Sequence, residues 1–133
     1  MLFRSVPAWP IPAGTKTHPR TAGTFARIFR WYVREMGLLN VAEAVRRCTL
    51  VPAQILEGVS PDMKRKGRVQ VGADADIVVF DPESMTDRAT YSSPVETSTG
   101  ISYVLVNGTA VINGGVLQPG ALPGRPVRGR TKA

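Results

Sequence analysis

Helical periodicity early in the chain and strand patterning later predict an α+β arrangement, with helices first and strands after. Three observations carry this. Phe25, Ile28, Phe29, Tyr32, Val33 and Met36 recur at the spacing of one helical face. "DIVVFD" is a continuous apolar run rich in β-branched residues, the pattern of a strand covered on both faces. "ISYVLVNGTAVING" sets Asn107-Gly108 between two apolar segments, the strongest short-range signal for a hairpin. Helices and strands segregated in this order point to parts of two domains.

Taken in order, residues 1–23 read as irregular, because prolines recur at short intervals around Gly14. A helix then runs from Thr24 as N-cap to Gly37 as stop, with Arg27, Arg30 and Arg34 off its apolar stripe. Asn40 with Glu43 three residues later has capping-box spacing and opens a second helix, whose buried face is Val41, Ala44, Val45 and Cys48. Pro52 begins a further short turn that Gly58 ends. "GRVQVG" has the composition of a short strand ahead of "DIVVFD", and the final "LQPGALPGRPVRGRTKA" reads as extended.

The 133 residues suit a single modest core, and 43% hydrophobic against 20% charged residues favours a folded chain over a disordered one. No apolar run is long enough to cross a bilayer, and "MLFRSVPAWPIPAG" lacks the continuous apolar centre of a signal peptide. The single cysteine excludes an internal disulfide, and a cytoplasmic location is the default. A net charge of +7 raises the question of nucleic acid. The basic groups are scattered, however, and the dense "KRKGR" is not interleaved with aromatics, so solvated surface charge is the preferred reading. No acid precedes Glu35, while Arg4, Lys16, Arg20, Arg27, Arg30 and Arg34 all do. That stretch either faces an anion or has acidic neighbours further upstream.

The inventory of reactive groups is short. His18 is the one histidine, and neither HxH nor HExxH occurs. The nucleophile elbow G-x-S-x-G, the dinucleotide fingerprint GxGxxG and the phosphate loop GxxxxGK[ST] are all missing. Cys48 lies on an apolar helix face, where a buried structural thiol is the expectation. Asp74, Asp76 and Asp81 bracket the strand "IVVF" and invite a metal or acid–base reading. Asp74 and Asp76 fall in the turn into the strand, and Asp81 stands before Pro82 where it ends. Such aspartates bond nearby backbone N–H groups, so a structural role is expected.

Two stretches together carry a resemblance. "KTHPRTAGTFARIFRWYVREMGLLNVAEAVRRCTLVPAQIL", followed by "KGRVQVGADADIVVFDPESMTDRATYSSPVETSTGISYVLVNGTAVINGG", resembles the C-terminal part of N-acyl-D-amino-acid deacylases (D-aminoacylases) of the metal-dependent amidohydrolase superfamily. The likeness covers residues 6–129. "GADADIVVFD" and "GISYVLVNG" are general to amidohydrolases, whereas "HPRTAGTF" followed by "YVREMGLL" is more specific to the deacylase branch.

The resemblance implies an α+β fragment. Residues 1–60 would be the last loop and helices of a (β/α)8 amidohydrolase barrel, and residues 61–133 the C-terminal strands of a small composite β-domain. It implies an enzyme that hydrolyses the linear amide bond of N-acyl-D-amino acids, with metal-activated water attacking the carbonyl and an aspartate shuttling the proton. In the family zinc is held through an early His-x-His, further histidines and a bridging cysteine, and the aspartate belongs to a Ser-Asp-Gly just before the segment matching "VPAWPIPAG". The residues before Val6 are "MLFRS", and Cys48 is not the bridging cysteine's counterpart, so no catalytic or metal residue and no cofactor is expected within this chain. Its implied partners are an N-acyl-D-amino acid and the N-terminal part of the same enzyme. Arg20, in the His-Pro-Arg motif, is the one residue carried over, as a candidate for the substrate carboxylate. A guanidinium offers that group a bidentate fork, and pairing with a barrel carboxylate is the structural alternative. His18 is expected to order the loop. The other readings are a non-catalytic interaction module and a basic nucleic-acid-binding protein.

Overall fold

A computed structural model describes residues 16–129, so the expected irregular start over residues 1–15 and the last four residues lie outside it. Helix α1, Arg20–Arg27, continues without a break as a π-helical segment, Ile28–Glu35. Two short helices follow, α2 (Val41–Cys48) and α3 (Leu50–Leu56), then a 3₁₀ turn over Pro61–Arg65. Strands β1 (Ile77–Phe80), β2 (Ile101–Val106), β3 (Thr109–Asn113) and β4 (Val116–Leu117) form one antiparallel sheet in the order β1-β2-β3-β4. The expected α+β order is the observed one. Among the described residues no helix is long and apolar enough to cross a membrane.

Helix α1 starts at Arg20 rather than at Thr24, whose hydroxyl donates back to the Arg20 carbonyl at 2.6 Å instead of capping. The buried face also differs from the expected stripe. Gly23, Ala26 and Phe29 are buried, while Phe25 is 62% and Met36 50% exposed. Phe25 belongs to the α-helical stretch, whose buried face is set by the small residues Gly23 and Ala26; for Met36 the cause is the change of helix type. A π-helix closes i→i+5 rings, as in the 2.8 Å bond from Met36 N–H to the Trp31 carbonyl, and so holds more residues per turn. A stripe spaced for 3.6 residues therefore slips out of register beyond Ile28.

Asn40 caps α2 as expected, its Oδ1 accepting from Glu43 N–H at 2.8 Å. The Glu43 carboxylate does not return to the cap. It pairs with Arg46 and Arg47 at 2.8 and 2.6 Å, and these guanidiniums hold it down to about 2. Ala44 is fully buried, with Val41 and Val45 packed on the same cluster as Ala26, Phe29 and Met85. Phe29 meets Phe80 with ring centroids 4.8 Å apart, so this core joins the first helix to the sheet. Helix α3 begins two residues ahead of Pro52, whose missing N–H is tolerated in the first turn.

"GRVQVG" does not form a strand: Val69 and Val71 project into solvent without a pairing partner. Asn107 (φ 47°) and Gly108 (φ 78°) make the two-residue turn with positive φ at both positions that a tight hairpin demands. Gly114 and Gly115, at φ 57° and 79°, repeat it into β4, which includes Leu117, the first residue of the tail that the sequence predicts as extended.

Strand β1 is an edge strand, and its expected cover on both faces is incomplete, since Val78 and Val79 are about half exposed. Each large apolar side chain left in water forfeits roughly 1.5–3 kcal/mol, against a typical domain stability of about 5–15 kcal/mol. The isolated chain should therefore self-associate through this edge. Light scattering with a thermal melt checks this. A monodisperse monomer with a sharp, high transition would favour a self-sufficient interaction module.

Candidate functional site

Three arginines of the first helix reach the segment between β1 and β2. Arg27 and Arg30 donate to the two carboxylate oxygens of Asp87 at 2.8 and 2.6 Å. Arg34 donates to the carbonyls of Pro82 and Met85 at 2.8 and 3.0 Å and to the Thr86 hydroxyl at 3.0 Å. The Asp87 side chain is 2% exposed. Burial works to raise its carboxyl, but the hydrogen bonds from Arg30 and Arg27 outweigh that and hold it below its ordinary value. The Arg30 guanidinium is raised in turn, through Asp87 first and then Glu35. The anion that the acid-free stretch faces includes this internal carboxylate, 57 to 60 residues along the chain.

Asp87 fixes one wall of an open cleft of about 400 Å³ at the start of α1. His18, Arg20, Thr24 and Arg27 line one side, and Asp87 and Tyr91 the other. Gly23 permits the close approach, because a Cβ there would stand 3.2 Å from the Asp87 Cβ. His18 Nδ1 accepts from the Arg20 N–H at 3.1 Å, and its Nε2 lies 3.2 Å from the Tyr91 hydroxyl. With Nδ1 as acceptor, the neutral ring carries its proton on Nε2 and donates to Tyr91. His18 thus orders the loop, as expected. Arg20 is exposed on the cleft, and among the described residues no carboxylate pairs with its guanidinium. Asp87 and Tyr91 had no local signal in the sequence, since both act across more than fifty residues of chain.

The three aspartates of "GADADIVVFD" lie away from the cleft. Asp76 Oδ1 accepts from Asn107 N–H at 2.8 Å, and its other oxygen takes Lys66 at 2.5 Å. These two contacts, the backbone one foremost, lower its carboxyl. Asp74 pairs with Lys66 and Arg65 at 3.0 and 3.1 Å and is lowered by them. Asp81 accepts from the Ser84 hydroxyl at 2.6 Å and from Glu83 N–H at 3.0 Å, an Asx-type turn that also lowers it. All three fasten loops around the sheet. Three of the four cations of "KRKGR" are paired: Lys66 and Arg65 on these aspartates, Arg65 also on Asp62, and Arg68 on Glu57. Cys48 is half-buried, and burial raises its thiol, the reverse of what a nucleophile needs. Among the described residues no three His, Cys, Asp or Glu side chains gather closely enough to hold a metal ion.

Residues 10–112 match the amidohydrolase family. An N-acyl-D-glutamate deacylase of Alcaligenes xylosoxydans xylosoxydans is 42% identical over 118 residues, which is 89% of this chain and 23% of the relative. A solved N-acyl-D-glutamate deacylase from Bordetella bronchiseptica, complexed with zinc and a phosphonate mimic of the tetrahedral intermediate, is 44% identical with a TM-score of 0.67. It covers 72% of this chain and 19% of its own. A crystal structure of D-aminoacylase, 38% identical, superposes with a TM-score of 0.75 over 85% of this chain and 23% of its own. The chain thus spans about a fifth to a quarter of the length of these relatives, and with most of its residues matched it belongs to the amidohydrolase family.

Proposed function

We propose that this segment works as the C-terminal portion of a zinc-dependent enzyme hydrolysing the linear amide bond of N-acyl-D-amino acids. In this reading residues 1–60 close the catalytic barrel and residues 61–133 complete the composite β-domain. The identity of 42% to an N-acyl-D-glutamate deacylase is the observation that carries it. The donors within the described residues do not fit the metal. His18 has both ring nitrogens engaged by Arg20 N–H and Tyr91, and the aspartates are committed to cations and backbone. The rest of the same enzyme would hold the zinc, and no hydrolytic step is assigned to this segment. Its contribution is recognition: Arg20 presents an exposed guanidinium on the cleft, suited to the substrate's carboxylate.

The test has two arms. The chain alone should neither retain stoichiometric zinc nor turn over N-acyl-D-amino acids, and turnover with bound zinc would refute this assignment. In an intact deacylase with arginine at the corresponding position, Arg20→Ala should cost about 2–4 kcal/mol of transition-state binding. An unchanged kcat/KM would return Arg20 to a structural role.

A further inference from the structure

We infer that Tyr91, acting through His18, is the positioning residue that sets Arg20 for a substrate carboxylate; this rests on the reading of Arg20 given above. Both backbone polar atoms of Arg20 are held by side chains. Its N–H donates to His18 Nδ1 at 3.1 Å, and its carbonyl accepts from the Thr24 hydroxyl at 2.6 Å. An N–H at the first position of a helix has no intrahelical acceptor, so His18 supplies the one that fixes where the helix begins. The ring that does this is itself held by Tyr91, through the 3.2 Å Nε2 contact and an edge-on packing with centroids 5.3 Å apart at 72°.

Tyr91 can hold the ring because its own loop is tied down. Ala89 is buried beside Asp87. The turn is closed by Thr90 N–H donating to the Ser93 carbonyl at 3.1 Å and Ser93 N–H to the Thr90 hydroxyl at 3.0 Å. The Arg20 N–H fixes His18 in its Nε2–H form, and the Tyr91 hydroxyl, accepting from Nε2, holds the ring where Nδ1 meets Arg20. Removing that hydroxyl frees the ring and, with it, the direction of the guanidinium. Such second-rank support decides whether a recognition group is held or merely present.

The experiment uses an intact deacylase with these residues at the corresponding positions, and compares an N-acyl-D-amino acid with its carboxamide analogue. Tyr91→Phe keeps the ring packing and removes one hydrogen bond. It should raise KM for the acid about five- to tenfold with kcat within about twofold, and leave the carboxamide unaffected. His18→Asn, which keeps an acceptor for Arg20 N–H, should fall between wild type and His18→Ala. In an Arg20→Ala background Tyr91→Phe should add nothing, because residues acting as one unit are not additive. Equal losses on acid and carboxamide, or full additivity with Arg20→Ala, would overturn the inference. If Arg20→Ala is impaired while Tyr91→Phe is normal, the positioning role fails and the carboxylate reading stands. If Arg20→Ala is itself normal, that reading is what fails.

Discussion

Asp87→Ala should cost about 3–4 kcal/mol and release residues 82–90 from the first helix. Breaking a buried ion pair from one side typically costs about 3–5 kcal/mol. The lower part of that range applies because Arg27 and Arg30 stay 45% and 27% exposed and can turn to water once the carboxylate is gone. Two charge-assisted hydrogen bonds are lost together, which leaves the segment held by Arg34, through two carbonyls and the Thr86 hydroxyl, and by the packing of Met85 on Ala26 and Phe29. Urea unfolding of dilute protein measures the loss, and a change below about 1 kcal/mol would mean that Asp87 merely decorates the surface. The pH dependence has a definite sign. The folded carboxyl lies below its unfolded value, so its stabilisation is complete above about pH 4 and is lost as pH falls through the folded value. Asp87→Asn, which keeps the shape and removes the charge, should flatten that acid limb.

Gly100→Ala should be at least as damaging, at about 3–5 kcal/mol. Gly100 has φ +81°, and a Cβ there would lie 2.5 Å from both the Cα and the N of Met85. Neither obstacle is a side chain that can swing aside. Met85 is core, and Gly100 accepts from Asp81 N–H at 3.0 Å next to the Thr86–Thr99 bridge, so the backbone has little room to give. Gly114→Ala provides the comparison. Its φ is +57° with nothing within 4 Å of the added Cβ, so only the left-handed strain of about 1–2 kcal/mol remains. Similar midpoints for the two variants would show that the contact with Met85 relaxes freely.

Local chemistry made parts of this fold legible. Asn107-Gly108 declared its turn because few other residues accept positive φ twice in succession, and Asn40 declared a cap because its oxygen needs only the N–H three residues on. The π register was not legible, since nothing in "IFRWYVRE" distinguishes it from an α-helical stripe until the arginines find their acceptors. That is why Met36, at the far end of the π-segment, lies outside although the stripe predicts it inside. Asp81 was readable as a turn fastener from its place before Pro82, whereas Asp74 and Asp76 bind Lys66, Arg65 and the distant Asn107 N–H instead of the nearby backbone that their turn position suggests. Asp87 was not, because one acid in "TDRA" reveals no partner sixty residues back. The His-Pro-Arg motif pointed to the cleft through resemblance, and only the folded chain brought Tyr91 to it.

The arginine clasp has a consequence for the order in which the molecule assembles. Strands β2, β3 and β4 are joined by two-residue turns, so they can zip up through near neighbours, and hairpins of this kind form in about 1–10 μs. The clasp instead closes a loop of 57 to 60 residues, whose entropy must be lost before any bond forms. It is therefore a late event, made after the meander and the helices exist. Interactions absent from the transition state govern how fast a protein comes apart rather than how fast it forms. Asp87 variants should accordingly steepen escape from the folded state while leaving the refolding rate nearly untouched. The clasp acts as a latch on the lifetime of the structure, and the glycine turns set the speed of reaching it.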